Sequence, residues 1–169
     1  MAHFNQKKFE QVLHYIISCV GTRANVGKTV LYKMLYFSDF DYYELFEKSL
    51  TGEKYLKLPR GPAPSHFEDV LEILKDEGKV KVFKVPSGNF KRNKFISLSK
   101  PDISALNAEE IKLIDSTIDK LSNMNATQIS DYSHQDMPWK AAEDKAELDY
   151  EQVFCRDDVM SVREYPEND

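Results

Sequence analysis

Cysteine is scarce in this chain: Cys19 and Cys155 are the only two among 169 residues. One falls in a helical stripe and the other near the end, which excludes a disulfide framework and a thiolate zinc motif. Long apolar runs are missing as well. None approaches the roughly 18 consecutive apolar residues that span a bilayer, and the opening MAHFNQKKF lacks the apolar core of a secretory signal. A cytoplasmic protein with no membrane segment is expected. None of the four histidines, His3, His14, His66 and His134, sits at the three- or four-residue spacing from another His or Cys that a metal-binding helix uses. Neither a metal nor another cofactor is expected. Nucleophile signatures such as Gly-x-Ser-x-Gly are lacking, and Asp39 and Asp41, two apart on a helix, point to different faces. No catalytic residue is assigned, and the chain reads as a non-enzyme.

What is present suits one soluble globular domain: 41% apolar residues, 30% charged residues and a net charge of -5. The charge is uneven. Between Lys79 and Lys94 six basic residues stand without an acidic one, whereas ten acidic and three basic residues lie from Glu143 to the end. The chain therefore carries one basic surface and one acidic segment, and its overall acidity argues against sequence-independent nucleic-acid binding.

Phe9, Val12, Leu13, Ile16, Ile17 and Val20 recur at helical spacing, with Lys7, Lys8, Glu10, Gln11 and His14 on the other face. This first helix decides the meaning of Gly21 to Thr29, GTRANVGKT, which ends like a phosphate-binding loop. The spacer is one residue too long, and a phosphate loop must follow a buried strand rather than a helix. Gly21 is instead read as a helix stop, and Asn25-Val26-Gly27 as the turn into a second helix. That helix is apolar on most of its circumference from Val30 to Leu45, which predicts a central position. Tyr55 to Leu58 reads as a short strand, and Pro59, Gly61, Pro62 and Pro64 as a structured turn. A third helix carries Phe67, Val70, Leu71 and Leu74, and the period then switches to two around a Pro86-Ser87-Gly88-Asn89 turn, which predicts a Lys-rich hairpin. Asn107 with Glu110, and Asn125 with Gln128, are capping boxes that mark two more helix starts. The fold class is α+β, a mainly helical single domain with a β-hairpin, in a winged-helix-like element order.

A winged helix would lay Lys81, Lys84, Lys91, Arg92 and Lys94 along nucleic-acid phosphates, so a DNA-binding transcriptional regulator is one reading. The helix that would enter the groove reads HFEDVLEILKDE, with five acidic residues against Lys75 alone, which disfavours it. A hydrolase with a site around Asp39 and His134 is another reading, disfavoured by the missing partners. His134 and the only tryptophan, Trp139, flank Pro138. The simpler reading is a buried imidazole holding the C-terminal segment on the core.

Four blocks carry a family resemblance. They are Lys28-Thr29 with LYKMLYFSDF (Leu31 to Phe40), SLTGEKY (Ser49 to Tyr55), LPRGPAP (Leu58 to Pro64), and ISDYSH (Ile129 to His134) with Trp139-Lys140. In this order, over roughly Val26 to Tyr150, the chain resembles the Panacea domain of SocA-like antitoxins. The resemblance implies a bacterial or phage-borne antitoxin of a toxin-antitoxin system. It would neutralise a co-encoded toxin by direct protein binding, with a ClpXP-type protease as a further partner where it acts as a proteolytic adaptor. Residues 1-150 are assigned to the Panacea domain and 151-169 to an acidic, partly ordered C-terminal arm. Lys33, Asp39, Thr51, Gly52, Gly61, Pro62, Ser133, His134 and Trp139 match the motif and are expected to serve the fold. Tyr42, Tyr43, Arg60 and His66, expected to be exposed, are the candidate toxin contacts, together with the acidic arm.

Overall fold

The computed structural model describes residues 3-167. Helix α1 (Gln6–Val20) starts where the Asn5 side chain accepts from the Lys8 backbone N–H at 3.0 Å, and it buries the expected apolar stripe. Two residues placed on its polar face turn inward. Gln11 donates to Ser104 Oγ and accepts from the Ala105 N–H, while His14 pairs with Ser97 Oγ, so each buried polar group finds a partner in the segment that covers it. Gly21 ends the helix where β-strand backbone passes close by. A Cβ there would stand 2.4 Å from the Phe95 carbonyl oxygen, and the Gly21 carbonyl accepts from the Phe95 N–H at 3.1 Å. The glycine of the false phosphate loop is thus required for close backbone packing.

Helix α2 (Lys28–Phe46) runs through the centre, touching α1, the later helices and the first hairpin, as its all-round apolar sequence predicts. Strands β1 (Tyr55–Leu58) and β2 (Gly61–Pro64) then form an antiparallel pair. β2 corrects the turn expected there. Tyr55 and Lys57 commit backbone groups to Leu148 and Ala146 on the opposite edge, so their partners Pro64 and Pro62 occupy positions that need no N–H. Helix α3 (Phe67–Asp76) leads into the long hairpin of β3 (Val80–Ser87) and β4 (Phe90–Ser97), which pair from Val80 with Ser97 to Ser87 with Phe90. Both capping boxes are formed, at the starts of α4 (Ala108–Leu121) and α5 (Ala126–Ser133). A short α6 (Met137–Ala141) and a 3₁₀ turn (Tyr150–Cys155) follow. The result is the expected mainly helical α+β domain, with two small antiparallel hairpins.

One side chain of the C-terminal segment meets three acidic residues of the core. Arg156, fully buried at its guanidinium, donates Nε and Nη2 to the two oxygens of Asp136 at 2.8 Å each, and Nη1 to Asp41 at 2.8 Å and Glu44 at 3.0 Å. Tyr36 adds its hydroxyl to Asp136 at 2.7 Å. Val153 and Met160 enter the core on either side of this knot. No helix among the described residues is long and apolar enough to cross a membrane.

Candidate functional site

The motif residues fall into three groups. Asp39, on the inner face of α2, accepts from the Thr51 N–H at 2.8 Å, from the Thr51 hydroxyl and from the Tyr55 hydroxyl. Burial pushes its carboxyl up to about 6 against the lowering effect of these donors. Gly52 follows with φ +73°, and a Cβ there would lie 2.0 Å from the His3 carbonyl oxygen. The Ser-Leu-Thr-Gly loop is therefore tied to α2 at one residue and to the N-terminal segment at the next.

The second group brings together residues far apart in sequence. Gly61 opens β2 with φ +114°, and a Cβ on it would stand 2.3 Å from Ser133 Oγ and 2.6 Å from Lys33 Cε. Only glycine lets the hairpin, α2 and α5 meet here. Pro62 is buried beside it. Burial and the nearby Arg60 guanidinium hold the Lys33 amine down at about 8. In the third group the His134 ring stacks on Trp139 with centroids 4.3 Å apart, Trp139 Nε1 donates to the Leu58 carbonyl at 3.2 Å, and Lys57 lies over the indole at 4.3 Å. The expected anchoring of the C-terminal segment by His134 hydrogen bonds is corrected: its buried Nε2 has no partner, and the imidazole acts by stacking. Asp39 and His134 share no hydrogen-bond partner, so the structure does not assemble the hydrolase pair.

The candidate toxin contacts differ in availability. Tyr42 is a correction: it is 2% exposed, packed on Phe46, because α2 is surrounded on the side that carries it. Tyr43 is half-buried and donates its hydroxyl to Glu151, which with burial pushes the phenol up to about 12. Arg60 is exposed at the β1–β2 turn. His66 stands at the N-cap position of α3 without a side-chain cap bond, pairs with Glu53 through Nδ1 and stacks on Phe4 at 4.0 Å.

Phe4 and Tyr43 line the same open cleft of about 920 Å³, bordered by Glu47, Glu147, Asp149 and Glu151 against Lys48 and Lys54. His66 stacks on Phe4 but does not itself line the cleft, and Arg60 lies at the turn of the β1–β2 hairpin. The acidic run after Glu143 supplies three of its carboxylates, but neither the cleft nor Phe4, before the first helix, gave a sequence signal. On the other hairpin Arg92 turns back to the Arg23 and Val26 carbonyls, leaving Lys81, Lys84, Lys91 and Lys94 as its remaining cations beside exposed Phe83 and Phe90. Among the described residues no cluster of three or more His, Cys, Asp or Glu is arranged to hold a metal ion.

These features define a compact α+β domain whose motif residues clamp loops onto a central helix and whose open face is an acidic cleft. Residues 31–140 match the family described as antitoxin SocA-like, Panacea domain, and the chain belongs to that family. No curated protein and no solved structure matches it.

Proposed function

We propose that the protein is the antitoxin of a toxin-antitoxin pair and silences a co-encoded protein toxin by binding it directly, at the acidic cleft between the N-terminal segment and the residues around Tyr150. The observation that carries this reading is the family membership over residues 31–140. The cleft supplies a surface suited to the task. It combines Tyr43, Phe4 and Tyr150 with four carboxylates, the mixture of aromatic anchor and charge that protein interfaces use, and its acidity favours a toxin with a basic patch. A stable complex needs about 1,200 to 2,000 Å² of buried surface, so the contact extends beyond the cleft. His66, stacked on Phe4, and the acidic arm, residues 151-169, are the natural extensions, and residues 1-150 form the body that presents them.

The test is co-expression with the neighbouring open reading frame, scored by growth, and co-purification of the two chains. Glu147 and Glu151 are exposed, so a Glu147→Lys, Glu151→Lys variant retains the fold while reversing the charge of the cleft. Rescue of growth by the wild type, with association at least tenfold slower in the variant, supports the proposal. Equal capture by both chains rules out the cleft, and a neighbour harmless by itself rules out the function.

A further inference from the structure

The long hairpin has one edge in use and one open. Its pairing phase follows from the Leu98 N–H, which donates to the Lys79 carbonyl at 2.8 Å. Continued along the register, that phase makes Lys81 with Ile96, Phe83 with Lys94, and Val85 with Arg92 the hydrogen-bonded pairs. The residues between them turn their backbone groups outward. On β4 this edge is occupied, because the Phe95 N–H donates to the Gly21 carbonyl at 3.1 Å. On β3 the N–H and C=O groups of Val82 and Lys84 point away from β4, and among the described residues they find no backbone partner. Pro86, next in the same phase, has no N–H and ends the usable stretch.

An open strand edge is a template for another strand, and lysine and proline are the residues that blunt it. Their effect here is selective. Lys81, Lys84 and Lys91 are exposed, and no acidic residue stands between Lys79 and Lys94. A second copy laid along β3 would set these lysines against their own counterparts, whereas an acidic strand meets an attractive field. The hairpin also offers apolar surface. Val80 and Phe95 mark the face on the core, so Lys81, Phe83 and Val85 stand on the other, with Lys94 opposite Phe83. Phe83 is 38% exposed, Lys81 Nζ lies 4.8 Å from its ring centroid, and Leu98 is 53% exposed. A strand that alternates apolar and acidic residues suits this edge: its apolar side chains fall beside Phe83 and Val85, and its carboxylates beside Lys84 on the reverse face. Nucleic acid suits it less. Phosphate accepts and does not donate, so it would leave the Val82 and Lys84 carbonyls unpaired, and α3, which touches β3, exposes Glu68, Asp69, Glu72, Asp76 and Glu77.

We propose that the free edge of β3, at Val82 to Lys84, docks an extended acidic segment of a partner protein, which adds to the hairpin as a third strand. No residue of the hairpin borders the acidic cleft, so the protein carries two separate binding surfaces that select segments of opposite charge. This site does not rest on the antitoxin reading.

The probe is a peptide of about eight alternating valine and glutamate residues, capped at both ends and added to the full chain. Amide hydrogen exchange at Val82 and Lys84, followed by nuclear magnetic resonance, is the readout. With peptide at about ten times its Kd, exchange at both amides should slow about tenfold. Affinity should fall at least tenfold in Lys84→Glu, a change at an exposed position, and equally when every peptide amide is N-methylated, which keeps the charge and removes the donors. No slowing at about 1 mM peptide, or undiminished affinity for the N-methylated peptide, overturns strand addition. Equal affinity in Lys84→Glu, or for a peptide with lysine in place of glutamate, overturns the acidic assignment. A single-stranded oligonucleotide of the same charge that binds more tightly than the peptide, and is weakened by Lys84→Glu, overturns the protein occupant.

Discussion

Replacing Arg156 by leucine removes the one cation that faces three carboxylates. The wild-type side chain is 0% exposed and makes four hydrogen bonds, two to Asp136 and one each to Asp41 and Glu44. Breaking a buried ion pair from one side costs about 3–5 kcal/mol, because the remaining charge is left uncompensated. Partial relief is available, since burial already raises Asp41 to about 6 and loss of the guanidinium raises it further, so that it protonates in the variant near neutral pH. Glu44 keeps donors from the Val162 N–H and the Ser161 and Tyr165 hydroxyls. The expected loss is therefore about 3 kcal/mol, a large share of the roughly 5–15 kcal/mol that holds a domain folded. Urea unfolding followed by far-ultraviolet circular dichroism and by Trp139 fluorescence measures it. At pH 5 the difference from wild type shrinks as Asp41 takes up its proton. A loss under about 1 kcal/mol at pH 7 would refute the assignment of Arg156 as a fastening of the C-terminal segment, since exposed ion pairs are worth that little.

Lys33→Met should stabilise the isolated chain, since it removes an unpaired buried charge. Folding holds the lysine at about 8, below its ordinary 10.5, so its destabilising effect is complete below pH 8 and is relieved as pH rises toward 10.5, at up to about 1.4 kcal/mol per unit. Measured in urea, the stability advantage of Lys33→Met over wild type should therefore narrow as pH rises from 8, a comparison in which the raised tyrosine phenols, common to both chains, cancel. Gly52→Ala places a Cβ against the His3 carbonyl and forces an L-residue to φ +73°, so a loss of more than about 1–3 kcal/mol is expected by thermal unfolding. Thr51→Val deprives buried Asp39 of a hydroxyl donor and should cost about 1–3 kcal/mol; repeating its urea unfolding at pH 5 should reduce the loss, because Asp39 raised to about 6 is then protonated.

Elements fixed by local chemistry were legible in the sequence. The Asn107 and Asn125 boxes, the stripe of α1, the breadth of α2 and the glycine turn of the basic hairpin each depend on residues within a few positions of one another. Strand β2 was not legible, because Pro62 and Pro64 argue against a strand unless the unused edge is known. The use of that edge depends on residues 146 and 148, far along the chain. Gln11 and His14 lie on the polar side of α1 by period, and only the segment around Ser97 to Ala105 makes their burial tolerable. Tyr42 falls by period in the apolar stripe of α2, and its expected exposure as a toxin contact set that signal aside. The Arg156 knot joins positions 36, 41, 44 and 136 across the chain, and no spacing rule links them. Lys33 stood within a motif block, but its isolation is a statement about what is not near it, and one sequence contains no such information.

On the proposed function this chain acts by capturing a protein. Mixing the purified chain with the purified product of the neighbouring frame in a titration calorimeter, while assaying that product's toxic activity in the same samples, tests it most directly. Capture predicts saturable heat at a fixed stoichiometry and loss of activity in proportion to complex formed. Undiminished activity with no heat of binding would contradict it.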